Sequence, residues 1–206
     1  MQESVFSRRS LRCCAVISSV IIAAMLTVAA HAQTILSGYL TVDNAFNLYI
    51  STSDEVAGTL VLSGSNWPQT FSFSATLNPG QQYYLHIEAV DYGPPAAFIG
   101  SFALNNTGLL FANGTQSLIT EPTAFLMSTV GFGVSYTTPI SAGFNGVYPW
   151  GGVSGIDSNA QWLSFSGYST VFFSAPLQAV PEPGTLPLLL VGVTALAFMP
   201  WRKCSR

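Results

Sequence analysis

The chain has 206 residues and a formal net charge of −3, yet its six basic residues, Arg8, Arg9, Arg12, Arg202, Lys203 and Arg206, all lie near the ends. Between Gln33 and Gln178 stand seven acids (Asp43, Asp54, Glu55, Glu88, Asp91, Glu121 and Asp157) and no lysine or arginine, a formal charge of −7 with His86 neutral. A surface without cations cannot neutralise phosphates or release their counterions, which excludes nucleic acid and anionic lipid as partners of this central region.

At the N-terminus three arginines precede the apolar run Ala15 to Ala30, and Ala30-His31-Ala32 places small residues where a signal peptidase reads them. Residues 1–32 are therefore expected to be a secretory signal peptide cut before Gln33, with signal peptidase a partner during export. A transmembrane anchor is the alternative, but the run is short for a span and no stop-transfer cluster follows. The string SRRSLR also resembles a twin-arginine motif, with Arg12 where a second apolar residue is usual.

The middle, 33–178, is rich in Thr, Ser, Gly, Asn, Phe and Tyr and poor in helix formers. Every second residue is apolar at Phe46, Leu48 and Ile50, at Phe71, Phe73, Ala75 and Leu77, and at Tyr83, Leu85, Ile87 and Ala89, the period of a strand. Further strands are expected at Ile35 to Val42, Gly58 to Ser63, Ala96 to Leu104, Leu118 to Ile119, Ala124 to Thr129, Trp162 to Ser166 and Thr170 to Ser174. Turn signals fall between them at Asn78-Pro79-Gly80, Gly93-Pro94-Pro95, Asn105 to Gly108 and Asn113-Gly114. About eight to ten short strands so punctuated imply an all-β, single-domain sandwich or jelly roll. The Gly-, Pro- and aromatic-rich stretch Val130 to Gly155 reads as a long excursion across one end of it. All three cysteines, Cys13, Cys14 and Cys204, are terminal, so the domain must hold by core burial without disulfides and offers no thiolate metal site.

Three strings carry a resemblance: LTVDNAFNLYIS at Leu40 to Ser51 with GSNW at Gly64 to Trp67, PGQQYYLHIEAVDYGPPAAFIGSF at Pro79 to Phe102, and PWGGVSGIDSNAQWL at Pro149 to Leu163. The pattern is similar to galactose-binding-like jelly rolls, and departs from it at Ile50 to Val56, where STSDEV replaces an Asn-Gly hairpin, and at Asp91, where Asn is common. The resemblance implies a fold more than a function.

Residue chemistry does not point to catalysis. Glu88 and Asp91, read as one strand, would face opposite ways at a spacing of three, whereas a glycosidase needs two carboxylates across one cleft. Asp54 and Glu55 read as solvated turn residues, and Glu121 as a loop residue before Pro122. His86 alternates with Tyr84 and Glu88 and reads as a surface histidine, with no nucleophile elbow before it. No organic cofactor is predicted. Calcium is the ion whose hard oxygen ligands Asp43, Asn44, Asp91 and Asp157 would supply, although their spacing fits no calcium loop and such residues also cap turns. Trp67, Tyr92, Tyr148 and Trp150 read as loop aromatics able to stack on sugar faces or, for Trp150 above all, to plug the end of the sandwich.

At the C-terminus Val180-Pro181-Glu182-Pro183 is followed by the mostly apolar 184–201, long enough for one transmembrane helix, and by the basic tail from Arg202 and Lys203 to Arg206. Trp201 and the basic cluster place that end in the cytoplasm and the domain outside. The order of triplet, helix and basic tail over 179–206 resembles the PEP-CTERM sorting signal of Gram-negative bacteria. That resemblance implies an exosortase that cuts near Val180 to Pro183, a transient stay in the inner membrane, and delivery to the cell surface or extracellular matrix; a permanent anchor is the alternative. The sequence thus predicts an exported, non-catalytic surface or biofilm-matrix protein whose sandwich binds polysaccharide or associates with itself, with a glycoside-active enzyme or accessory carbohydrate-binding module as the runner-up.

Overall fold

A computed structural model describes residues 33–180. Ala30 and Ala32, expected to mark the signal-peptidase site, and everything from Pro181 onward, including the predicted helix 184–201, lie outside the described residues.

Twelve strands follow one another: β1 (Thr34–Asp43), β2 (Ala45–Ser51), β3 (Thr59–Gly64), β4 (Phe71–Leu77), β5 (Tyr83–Val90), β6 (Ala97–Leu104), β7 (Leu109–Phe111), β8 (Ser117–Ile119), β9 (Leu126–Ser128), β10 (Ile140–Phe144), β11 (Gln161–Ser164) and β12 (Thr170–Ala179). They form two antiparallel sheets, ordered β10-β11-β6-β1-β4 with β8 on β6, and β3-β2-β5-β12-β7 with β9 on β12. The all-β, sandwich-like architecture read from the alternation is the one observed.

The alternation works as expected where a strand has one wet face. In β4 the residues Phe71, Phe73 and Ala75 turn inward while Ser72, Ser74 and Thr76 stay exposed. Between the sheets lies one core in which Leu36 and Leu40 of β1, Phe98 of β6, Leu85 and Ile87 of β5 and Phe173 of β12 are fully buried. Phe98 joins the layers, with its ring centroid 5.2 Å from Phe173 and 5.3 Å edge-on from Phe125. Fully burying a side chain of this size contributes about 1.5–3 kcal/mol, which is how a disulfide-free domain offsets its chain entropy. Gly38 is required by close approach, since a Cβ there would stand 2.6 Å from the Phe102 ring and 2.7 Å from the Ser101 carbonyl.

Two strands are not legible from the pattern. β7 is three residues long, and β10, ISAGF, is too small-residue-rich to alternate. β10 also shows that 130–155 is not one plain excursion. Its first part sends Phe132 onto the outer face of the β5 sheet, and its last part sends Trp150 and Val153 onto the outer face of the β6 sheet, in a second cluster with Ala97, Ile99 and Trp162. β12 runs past the expected end at Ser174 through Pro176. The ring is tolerated where the β9 ladder stops at Ser174 and the β7 ladder begins at Leu177, so it interrupts neither.

Candidate functional site

Strand β5 has one face in the core and the other only partly covered. Leu85, Ile87 and Ala89 enter the core, and Tyr84, His86 and Glu88 form the outer row. Register sets this row beside β2 and β12, with Asn47 and Phe172 opposite Glu88 and with Tyr49 and Ser174 opposite His86. The result is a polar strip across the sheet. Glu88 is half-buried, and its Oε2 accepts from the Tyr49 hydroxyl at 3.0 Å and from Asn47 Nδ2 at 3.1 Å. Ser63 on β3 donates in turn to Asn47 Oδ1 at 2.7 Å. Burial first, and then the Glu88 carboxylate as hydrogen-bond acceptor and as charge, push the Tyr49 phenol above its usual 10, so it is a donor at neutral pH.

His86 is not a surface residue. It is fully buried, because Phe132 stacks flat on its ring at 4.0 Å and 8°. Its Nε2 lies 3.1 Å from Asp54 Oδ1. Nor is Asp54 a freely solvated turn residue, since the same oxygen accepts from the Ser174 hydroxyl at 2.7 Å and the Tyr136 hydroxyl at 2.8 Å. Serine, histidine and aspartate thus meet, but in the wrong order for acyl transfer. Ser174 gives its proton to the carboxylate and not to the imidazole, whereas a serine nucleophile needs the imidazole as its base. The cluster is a clamp that ties the β2–β3 loop and the segment 132–136 to β5 and β12.

The opposite-face argument for Glu88 and Asp91 does not hold, because β5 ends at Val90 and Asp91 lies in the following turn. There its Oδ1 accepts from the Gly93 N–H at 2.6 Å. Close by, Asp43 at the end of β1 is buried and accepts from Trp150 Nε1 at 2.9 Å and from Asn44 Nδ2 at 2.7 Å. Burial pushes the Asp43 carboxyl up, the indole bond holds it back, and the Asp91 charge adds to the rise. Asn44 Oδ1 is occupied by the Tyr92 N–H at 2.7 Å. Of the four oxygen donors singled out for calcium, the structure brings Asp43, Asn44 and Asp91 together and leaves Asp157 capping its own turn through Asn159. Among the described residues no three His, Cys, Asp or Glu side chains group as metal ligands.

The four aromatics separate. Trp150 is buried and stacks on Trp162 at 4.7 Å and 21°, so it is a plug with no face left for a ligand. Trp67 is half-buried against the same cluster. Tyr148 and Tyr92 are exposed, at 91% and 74%, and Tyr92 borders a groove. That groove, of about 300 Å³, is lined by Asn47, Ser63, Gly64, Ser65, Val90 and Tyr92 among others. It sits where the polar strip reaches the end of β5. Asn47 and Ser63 do not stand out in the sequence, because only the pairing of β2 with β3 and β5 joins them to Glu88. A second depression of about 430 Å³ opens between the edge strands β3 and β4, beside Val61 and Ala75.

β12 ends at Ala179, and the Val180 N–H donates to the Gly108 carbonyl at 3.2 Å. From this strand end onward, residues 179–203 match the PEP-CTERM protein-sorting motif. The chain carries a PEP-CTERM sorting signal. The matched segment includes Val180, Pro181, Glu182, Pro183, Arg202 and Lys203, the residues marked from the sequence, and begins at Ala179, the last residue of β12. It implies recognition by an exosortase, export, and membrane-associated processing. No curated protein and no solved structure matches the chain.

Proposed function

We propose that this exosortase substrate is a non-catalytic surface or matrix protein whose sandwich binds glycan at the groove beside Tyr92. The observation that carries the reading is the pairing of one exposed ring with neutral hydrogen-bonding groups, Asn47, Ser63 and Ser65, in a shallow groove lined by no carboxylate. Rings stack on the apolar faces of sugars, and amides and hydroxyls read their hydroxyl groups. In this reading the sandwich is a jelly roll, which the repeated crossing of the chain between the two sheets, from β1 to β2, β3 to β4, β4 to β5 and β5 to β6, supports. In the same reading the transmembrane helix expected at 184–201 would hold the signal in the inner membrane of a Gram-negative bacterium until exosortase cuts near Pro-Glu-Pro, and the protein would then join the cell surface or its polysaccharide matrix. A glycoside-active enzyme would instead need two carboxylates about 5–9 Å apart across a cleft.

The test is a glycan-array screen of the purified chain beside its Tyr92→Ala variant. Binding to a saccharide that the variant loses by about tenfold or more supports the groove, by the usual cost of one stacked anchor. Equal binding by both proteins, or none by either, removes it.

Self-association has its own supporting observation. β4, FSFSATL, pairs only with β1 among the described residues and carries no charge or proline to blunt its free edge. Concentration-dependent dimers that Ser74→Lys abolishes would support that reading.

A further inference from the structure

The groove lies at one end of a strip whose other members fix a carboxylate. Val90 lines the groove, and Glu88 precedes it by two residues on the same outward face of β5, about 7 Å along the strand. Asn47 belongs to both, lining the groove and donating to Glu88 Oε2. A saccharide longer than the groove that leaves it over Asn47 reaches Glu88 next.

Glu88 is held as a recognition group would be. Tyr49 and Asn47 both bond Oε2, which fixes the rotamer. Oε1 accepts no hydrogen bond among the described residues and is not sealed from solvent, since the one buried polar side-chain atom left without a partner is Trp162 Nε1. One oxygen is anchored and the other is free to accept. No lysine or arginine competes for it anywhere between Gln33 and Gln178. A carboxylate fixed in this way gains most from an ammonium, by a charge-assisted hydrogen bond about twice as strong as a neutral one. The seven acids of the domain add a negative field of one sign, which draws cationic chains in and repels acidic ones.

We propose that this surface takes a glycan bearing free amino groups, a partly de-N-acetylated hexosamine polymer, with Tyr92 stacking on one sugar and Glu88 Oε1 accepting from the ammonium of the next. The proposal rests on the glycan-binding reading of the groove and narrows it to one class of sugar.

The experiment compares the full chain, solubilised and immobilised, with glucosamine, N-acetylglucosamine and galacturonic acid oligomers of equal length at pH 5.5, where the free amine is charged. The amine oligomer is expected to bind about tenfold or more tighter than its N-acetylated form, with a preference that shrinks as salt rises toward about 0.5 M. Glu88→Gln should bring the ratio of the two affinities close to one, and Tyr92→Ala should weaken both. The amide oxygen that Glu88→Gln introduces can still accept from Tyr49 and Asn47, so an unchanged melting temperature confirms that the fold is intact. Preferred binding of the neutral or acidic oligomer overturns this proposal and leaves the glycan reading standing. Binding of none overturns both. An amine preference that survives Glu88→Gln and Tyr92→Ala, and is matched by polylysine, shows attraction by the general field alone and overturns the proposed site.

Discussion

Trp150→Phe isolates the buried contact between Asp43 and the last part of the 130–155 segment. The variant keeps most of the ring that stacks on Trp162 but removes the indole N–H that Asp43 Oδ2 accepts at 2.9 Å. Asn44 still serves Oδ1, so one buried carboxylate oxygen is left without a donor. Hydrogen bonds to charged groups contribute about 1.5–3 kcal/mol, and some aromatic contact goes with the pyrrole ring, so the expected loss at pH 7 is about 3 kcal/mol. For a domain of this size that is a fall of about 10 °C in melting temperature. Acid should narrow the gap. Burial already raises Asp43 in the folded state, so the folded chain takes up this proton before the unfolded chain does, and acidification through that range favours folding. Losing the indole donor, which holds the carboxyl down, raises it further, so the variant gains more than the parent between pH 7 and pH 4. The five acids that do not act on Asp43 are common to both proteins and cancel in the difference. Urea melts followed by fluorescence at the two pH values measure this. A deficit below about 0.5 kcal/mol at pH 7, at the surface-mutation level, or one that stays constant to pH 4, would refute the assignment of Asp43 as a buried, indole-held carboxylate.

Three other outcomes are expected. Asp54→Asn removes the charge on which His86, Ser174 and Tyr136 converge, and should cost about 2–4 kcal/mol, with faster amide exchange in 52–57 and 132–137; exchange that speeds evenly over the domain would contradict a local clamp. In the native host the mature protein should lack the residues after the Pro-Glu-Pro triplet, and replacing Pro181 and Pro183 should leave a longer, membrane-held form; intact tail peptides in the released protein would count against this. Calcium and magnesium should raise the melting temperature no more than sodium at matched ionic strength, because oxygens of Asp43, Asn44 and Asp91 already accept protein donors; a chelator-reversible gain, about 2.7 kcal/mol at 100 times the dissociation constant, would show that this corner opens to a cation.

What can be read from the sequence divides along physical lines. Strands such as β4 announce themselves because one face is wet, and the ends of the chain because charge and hydropathy there are blocked into long runs. The sorting signal needs no fold at all, only the order of its three parts. His86 reads as exposed because alternation reports which face a residue takes, and not whether something far along the chain covers that face; Phe132 does. Asp54 looks solvated for the same reason, its partner Ser174 lying 120 residues away. The groove is half legible. Tyr92 stands out as a loop aromatic, whereas Asn47, Ser63 and Glu88 become one unit only through strand register.

The absence of lysine and arginine in the domain, legible at once, turns out to organise its polar interior. Five of its carboxylates are met by neutral donors: Asp43 by an indole and an amide, Glu88 by a phenol and an amide, Asp91 and Asp157 by turn N–H groups, and Asp54 by two hydroxyls beside His86. Neutral donors satisfy a carboxylate without cancelling its charge, so the field of the domain stays negative while the desolvation cost is partly offset, least completely at Asp43, whose carboxyl burial still pushes up. Indoles, phenols, amides and hydroxyls are also the groups that recognise sugars. In the clamp under Phe132 they face inward and are consumed by the fold. Along β2, β3 and the end of β5 the same chemistry faces outward beside an exposed ring, where it remains available to a ligand.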